Sequence, residues 1–218
     1  MSFPKLFIFL EDLKNNNRRD WFHEHKKDYQ EALQSVELMV ELIIHEIRKF
    51  DSSIPALQAR DCIFRIYRDI RFSKDKSPYK THFGAFISPK GRKGNRAGYY
   101  FHLEPGNSMA AGGLHQPPSE TLRKVRNHIF QNPSIFKALI SEKSFTNVFS
   151  GIQGEQLKTI PKGFPKDFPE MELLRFKSYT VFASIGDIKL AEQFPENIIR
   201  MFKAMYPFID FLNRAMND

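Results

Sequence analysis

Phe3, Leu6, Phe7, Leu10 and Leu13 recur at spacings of three and four, the period of one helical face, and Asn15, Asn16 and Asn17 end that helix. Asn17 is placed to cap a second helix, with Asp20 three residues on at its electropositive end. From Trp21 through Phe22, His25, Tyr29, Leu33, Val36, Val40, Ile43, Ile44 and Ile47 one face stays apolar for about eight turns. Glu31, Glu37, Glu41 and Glu46 hold much of the opposite side. After Asp51-Ser52-Ser53 and Pro55 the period changes to two. Cys62, Phe64 and Ile66 then alternate with Arg65 and Tyr67, which predicts a first strand. Residues 82–88 and 98–104 read as two more strands joined by a loop containing Gly91 and Gly94, and 108–114 as a fourth.

The helical period returns at Leu122, Val125, Ile129 and Phe130, breaks at Asn132-Pro133, and resumes at Ile135, Phe136, Leu139 and Ile140. Residues 151–169, rich in proline and glycine, read as irregular. A short helix at 171–176, a strand at 179–185 and two helical stretches at 190–205 and 207–215 complete the chain. Successive strands with short links, bracketed by helices, predict an α+β fold: a central antiparallel sheet flanked by N-terminal and C-terminal helices. No shift in composition marks a second domain, so residues 1–218 are expected to form one.

At 218 residues and 41% hydrophobic, the chain has enough apolar surface for a substantial core. Its 22 phenylalanines can each remove roughly 150 Å² or more from water, so folding needs no disulfide. The single cysteine, Cys62, cannot form an internal disulfide or belong to a cysteine zinc site, and among Ile63, Phe64 and Ile66 it reads as inert filling. A reducing, cytoplasmic compartment follows. The apolar N-terminal stretch is too short to span a bilayer, is interrupted by Glu11 and Asp12, and lacks a signal peptide's basic start; no membrane association is expected. The net charge of +8 favours anionic partners: phosphorylated or carboxylated small molecules, or nucleic acid.

The densest chemistry lies between residues 65 and 82, RIYRDIRFSKDKSPYKTH. Arg65, Arg68 and Arg71 recur every third residue, Lys74, Lys76 and Lys80 extend the positive charge, and Ser73, Ser77 and Thr81 add hydroxyls. Guanidinium forks grip phosphate or carboxylate oxygens with paired hydrogen bonds, so these residues form a candidate anion clamp, with Tyr79 or His82 orienting the ligand. The opposing reading is a structural loop in which Asp61, Asp69 and Asp75 neutralise the cations and the Ser77-Pro78 turn locks the chain. A nucleic-acid-binding module is an alternative, with PKGRKGNRA (89–97) either touching a phosphate backbone or forming a solvated hairpin tip. Another is an enzyme in which His102 and Glu104, on one side of a strand with Tyr100, transfer protons. That reading gains weight if His82 pairs onto the same face.

No metal site or cofactor is expected. His23, Glu24 and His25 look like ligands, but neighbouring helix positions diverge by about 100° and the His-to-His spacing of four is missing. G-x-S-x-G, Walker and G-x-G-x-x-G motifs are absent as well.

RDIRFSKDKSPYKTHFGAFIS, with NNNRRDWFHEHKKDY upstream and LKTIPKGFPKDFPEMELLRFKSY downstream, resembles the domain of unknown function 2461 family over nearly the whole chain. The resemblance implies an α+β domain and brings no substrate, cofactor or catalytic residue.

Overall fold

The computed structural model describes residues 3–186 and 193–216. Three helices open the chain: α1 (Phe3–Asn15), α2 (Arg19–Glu24) and α3 (Lys26–Ile47). A single turn, α4 (Ala59–Cys62), follows, and then strands β1 (Phe83–Ile87), β2 (Gly98–Leu103) and β3 (Met109–Leu114). Helices α5 (Ser119–Gln131), α6 (Pro133–Ser141), α7 (Lys143–Thr146) and α8 (Met171–Leu174) separate β3 from β4 (Tyr179–Ser184), and α9 (Phe194–Arg214) ends the fold. The strands form one antiparallel sheet in the order β1-β2-β3-β4, so the fold is α+β as the periodicity predicts.

Side-chain alternation divides the sheet into two unlike faces. One carries Phe83, Ala85, Ile87, Tyr99, Phe101, Leu103, Ala110, Leu114, Tyr179 and Val181, all buried against the helices. The other carries Gly84, Phe86, Tyr100, His102, Met109, Ala111, Gly113, Thr180 and Phe182, and most of its side chains keep some contact with solvent. At Gly113 (φ +116°) the chain passes so close to β4 that a Cβ would lie 2.0 Å from the Tyr179 carbonyl oxygen.

Three local expectations change. The long second helix is two, broken at His25, whose backbone (φ −100°, ψ 24°) leaves helical geometry while its Nδ1 donates to the Trp21 carbonyl and its ring stacks on Trp21. Asn17 does not cap α2: its side-chain amide pairs with the backbone of Tyr79, accepting from its N–H and donating to its carbonyl. The first strand is also absent. Residues 63–68 are extended but make isolated bridges, Ile63 to Ala85 and Tyr67 to Tyr79, because the chain leaves the edge of β1 to pair with its own return segment.

At the C-terminus the expected break at Pro207 does not occur, and α9 runs through it. An internal proline costs about 3 kcal/mol. Phe202, Met205, Phe208, Ile209 and Leu212, on one stripe of α9, are each at most 1% exposed. Burial of such side chains contributes about 1.5–3 kcal/mol apiece, so packing outweighs the lost hydrogen bond. The expected start of this helix near 190 lies outside the described residues.

Two predictions follow from this packing. Gly113→Ala combines a strained φ with overlap against β4 and is expected to cost about 2–6 kcal/mol, read as a lowered urea midpoint. Cys62 is fully buried, and burial first, then the Asp61 charge, push its thiol up to about 11. At pH 8 about one thiol in a thousand is then thiolate, so iodoacetamide should label the folded protein at least about a hundredfold more slowly than the urea-unfolded chain.

Candidate functional site

Strand β2 places Tyr100 and His102 on the open face, and Glu104 follows just beyond its end. Gly84 faces His102 across the β1–β2 register; a Cβ there would lie 2.8 Å from the Tyr100 hydroxyl, so glycine makes room for that ring. The Tyr100 hydroxyl is 3.3 Å from His102 Nδ1, and His102 Nε2 is 3.1 Å from Glu104 Oε2. Thr81 Oγ1 donates to Glu104 Oε1 at 2.7 Å, and Asn107 Nδ2 donates to Oε2 at 3.1 Å. His82 lies flat on His102, ring centroids 4.2 Å apart, and its ring makes no hydrogen bond among the described residues. A continuous polar line therefore crosses a sheet face that is otherwise small or apolar.

The environment tunes these groups in different directions. Burial raises the Glu104 carboxyl, but hydrogen bonds from Thr81, Asn107 and His102 outweigh it and hold the group below the ordinary carboxylate range. Burial pushes the Tyr100 hydroxyl up to about 12, assisted by the Glu104 charge. Burial first, and then His102, push His82 down to about 4, against the opposing pull of Glu104.

Beside this line the open face forms the floor of a cavity of about 600 Å³. Phe64, Phe86 and Tyr100 give it aromatic walls, and the small Ala111 and Gly113 leave room above its floor. Lys80, Arg92 and Arg96 bring positive charge, His82 and His115 add imidazoles, and among the described residues no carboxylate side chain lines it. Lys80 Nζ donates to the Arg65 carbonyl at 2.8 Å and sits 5.5 Å over the Phe64 ring. Burial, then Arg65 and Arg92, push the Lys80 ammonium below its ordinary value. Arg92 Nη1 donates to the Ile63 carbonyl at 2.7 Å, and Arg96 Nη1 reaches the Asn213 carbonyl at 3.5 Å.

Of the eight residues singled out between 65 and 82, Lys80 and His82 line this cavity. Arg68 is bonded to Asp75 and reaches Ser73 Oγ at 3.4 Å, while Arg71 holds Asp69 through two hydrogen bonds of 2.9 and 2.7 Å. Lys76 Nζ donates to the Ile70 carbonyl; Arg65 and Lys74 are exposed, with no side-chain hydrogen bond or ion pair. Tyr79 belongs to the core, stacked on Phe22 at 4.0 Å. Much of the basic loop is thus internally paired. Arg92, in the connection that reads equally well as a solvated tip, instead turns back to Ile63. Its arginine and lysine content was the available signal; its direction was not legible.

The fold and site together define a class: an α+β protein whose four-stranded sheet is sealed by helices on one side and carries a histidine–carboxylate line beside a cation-lined cavity on the other. The chain belongs to the family of conserved hypothetical proteins designated DUF2461, whose model matches residues 5–211. No curated protein and no solved structure matches it.

The lowered His82 gives a pH prediction. Its ordinary value is 6.5 and its folded value about 4, so between these pH values the unfolded chain takes up a proton that the folded chain refuses. Stability from this group is complete above pH 6.5 and declines as pH falls toward 4, with His102, Glu104, Lys80 and Arg68 setting the local field. Melting in EDTA-containing buffer should show a larger drop from pH 7 to pH 4.5 for wild type than for His82→Gln.

Proposed function

We propose that this protein binds a small molecule bearing a phosphate or carboxylate group in the cavity on the open face of the sheet. The observation that carries the reading is the lining: Lys80, Arg92 and Arg96 stand there with two histidines, and among the described residues no carboxylate joins them. Burial is the main cause of the lowered Lys80, and the part that comes from Arg65 and Arg92 is a repulsion that a bound anion relieves. The volume falls within the roughly 300–1,000 Å³ of small-molecule sites. In this reading the anion meets Lys80 and Arg92, while Phe64, Phe86 and Tyr100 flank the rest of the ligand. Arg65 and Lys74, at the surface, contribute to attraction at longer range.

A second reading, proton transfer on the bound molecule, is favoured by the hydrogen-bonded run from Tyr100 through His102 to Glu104, since Tyr100 also lines the cavity. Glu104 then orients the His102 ring, and Tyr100 is the hydroxyl nearest the ligand. Among the described residues no helix is long and apolar enough to cross a membrane, and the single buried Cys62 fits a reducing, cytoplasmic setting.

The test is calorimetric titration with inorganic phosphate, a sugar phosphate and a dicarboxylate. Lys80→Met and Arg92→Gln should each weaken binding of the best of these about 10- to 100-fold, the worth of one charge-assisted hydrogen bond, while Arg71→Ala leaves it unchanged. Equal affinity in all four proteins removes the cavity reading. Binding of single-stranded RNA that falls steeply with salt, with no response to the small anions, replaces it by the nucleic-acid reading.

A further inference from the structure

We infer that His82, His102 and Glu104 form a binding site for one first-row divalent transition-metal ion. Their ligand atoms, two imidazole nitrogens and a carboxylate oxygen, all lie within 4.8 Å of one another. Two histidines and one carboxylate are a donor set suited to zinc, iron(II) or manganese(II), with the remaining coordination positions left for water or a ligand.

The His102–Glu104 pair already has the spacing that an ion requires. Bonds of about 2.1 Å meeting at angles between 90° and 110° put neighbouring donor atoms about 3.0–3.4 Å apart. His102 Nε2 and Glu104 Oε2 are 3.1 Å apart, so an ion can take the place of the proton they share. His82 supplies the third donor by swinging its ring inward, its nitrogen moving by about 1.4–1.8 Å if it starts at the 4.8 Å outer limit of the cluster. Two imidazoles stacked at 14° aim their lone pairs along nearly parallel planes, so His82 must swing out of its stack on His102 to share an ion; because its ring makes no hydrogen bond among the described residues, that swing breaks none.

The surrounding groups suit the same assignment. A metal-bound imidazole generally donates its other N–H to a neighbouring acceptor, which fixes the ring. With the ion on Nε2, the His102 proton sits on Nδ1 and faces the Tyr100 hydroxyl oxygen, 3.3 Å away. Thr81 and Asn107 hold the Glu104 carboxylate in place. His102 is 8% exposed and stands on a sheet strand, so the site has a rigid base. His82 also lines the cation-rich cavity, which leaves an ion with access to whatever occupies it. His23 and His25 take no part: His23 is exposed on α2, and His25 is stacked on Trp21.

The test uses metal alone, so its outcome is separate from that of the anion titration. Full-length protein is stripped with EDTA, dialysed, and titrated with Zn²⁺ in competition with a chromogenic chelator, and with Co²⁺ followed by visible absorption. Wild type should take up one equivalent of each. His102→Gln and Glu104→Gln should weaken binding about a hundredfold or more, and His82→Gln at least about tenfold, while His23→Gln matches wild type. Circular-dichroism melts check folding. If either buried-site variant melts early, His82→Gln decides the matter, because that side chain makes no hydrogen bond. Absence of binding by wild type, retention of affinity in His82→Gln, or loss in His23→Gln overturns the site.

Discussion

Burial of one sheet face beneath α3 and α9 is the constraint from which the rest of the molecule takes its form. Tyr99, Phe101, Leu103 and Ala110 alternate inward and are fully buried. The same alternation turns Tyr100, His102, Met109 and Ala111 outward. A one-residue slip in register would reverse the two sets, placing His102 in the apolar core and Phe101 in water. The histidine–carboxylate line owes its position to the same apolar packing that stabilises the fold.

Polar groups then fix the edges of this arrangement. Asn17 pairs with both backbone groups of Tyr79, and Asn213, at the end of α9, pairs in the same way with Ala97: its Oδ1 accepts from the Ala97 N–H and its Nδ2 donates to the Ala97 carbonyl. A side-chain amide serves at each place as a fragment of neighbouring strand, satisfying buried backbone groups where the sheet has no partner to offer. One clamp holds the return arm of the basic loop just ahead of Lys80 and His82; the other holds the approach to β2. Asp51 completes the anchoring from inside, accepting from the Tyr99 hydroxyl and from Ser53.

The cations divide between local and long-range use. Asp69 and Asp75 sit close enough in sequence to Arg71 and Arg68 to pair with them within the loop, and such solvent-screened pairs contribute little to stability. Lys80, Arg92 and Arg96 line the cavity from two different connections, and among the described residues no acidic side chain lines it with them.

Periodicity alone determined the α+β class, strands β1 to β4 and the amphipathic faces of α1, α3 and α5, because a period of 3.6 or 2 is a local property of the backbone. It also placed Tyr100, His102 and Glu104 on one side of a strand, since alternation needs no partner. Tertiary structure decided the rest. Residues 63–68 have strand alternation but pair as isolated bridges, Pro207 stays within α9 because burial outweighs one hydrogen bond, and Asn17 serves Tyr79 instead of a helix end. The stacking of His82 on His102 and the turning of Arg92 toward Ile63 join residues 20 and 29 positions apart. No local pattern records such a meeting, because it depends on where the packed sheet carries each strand end.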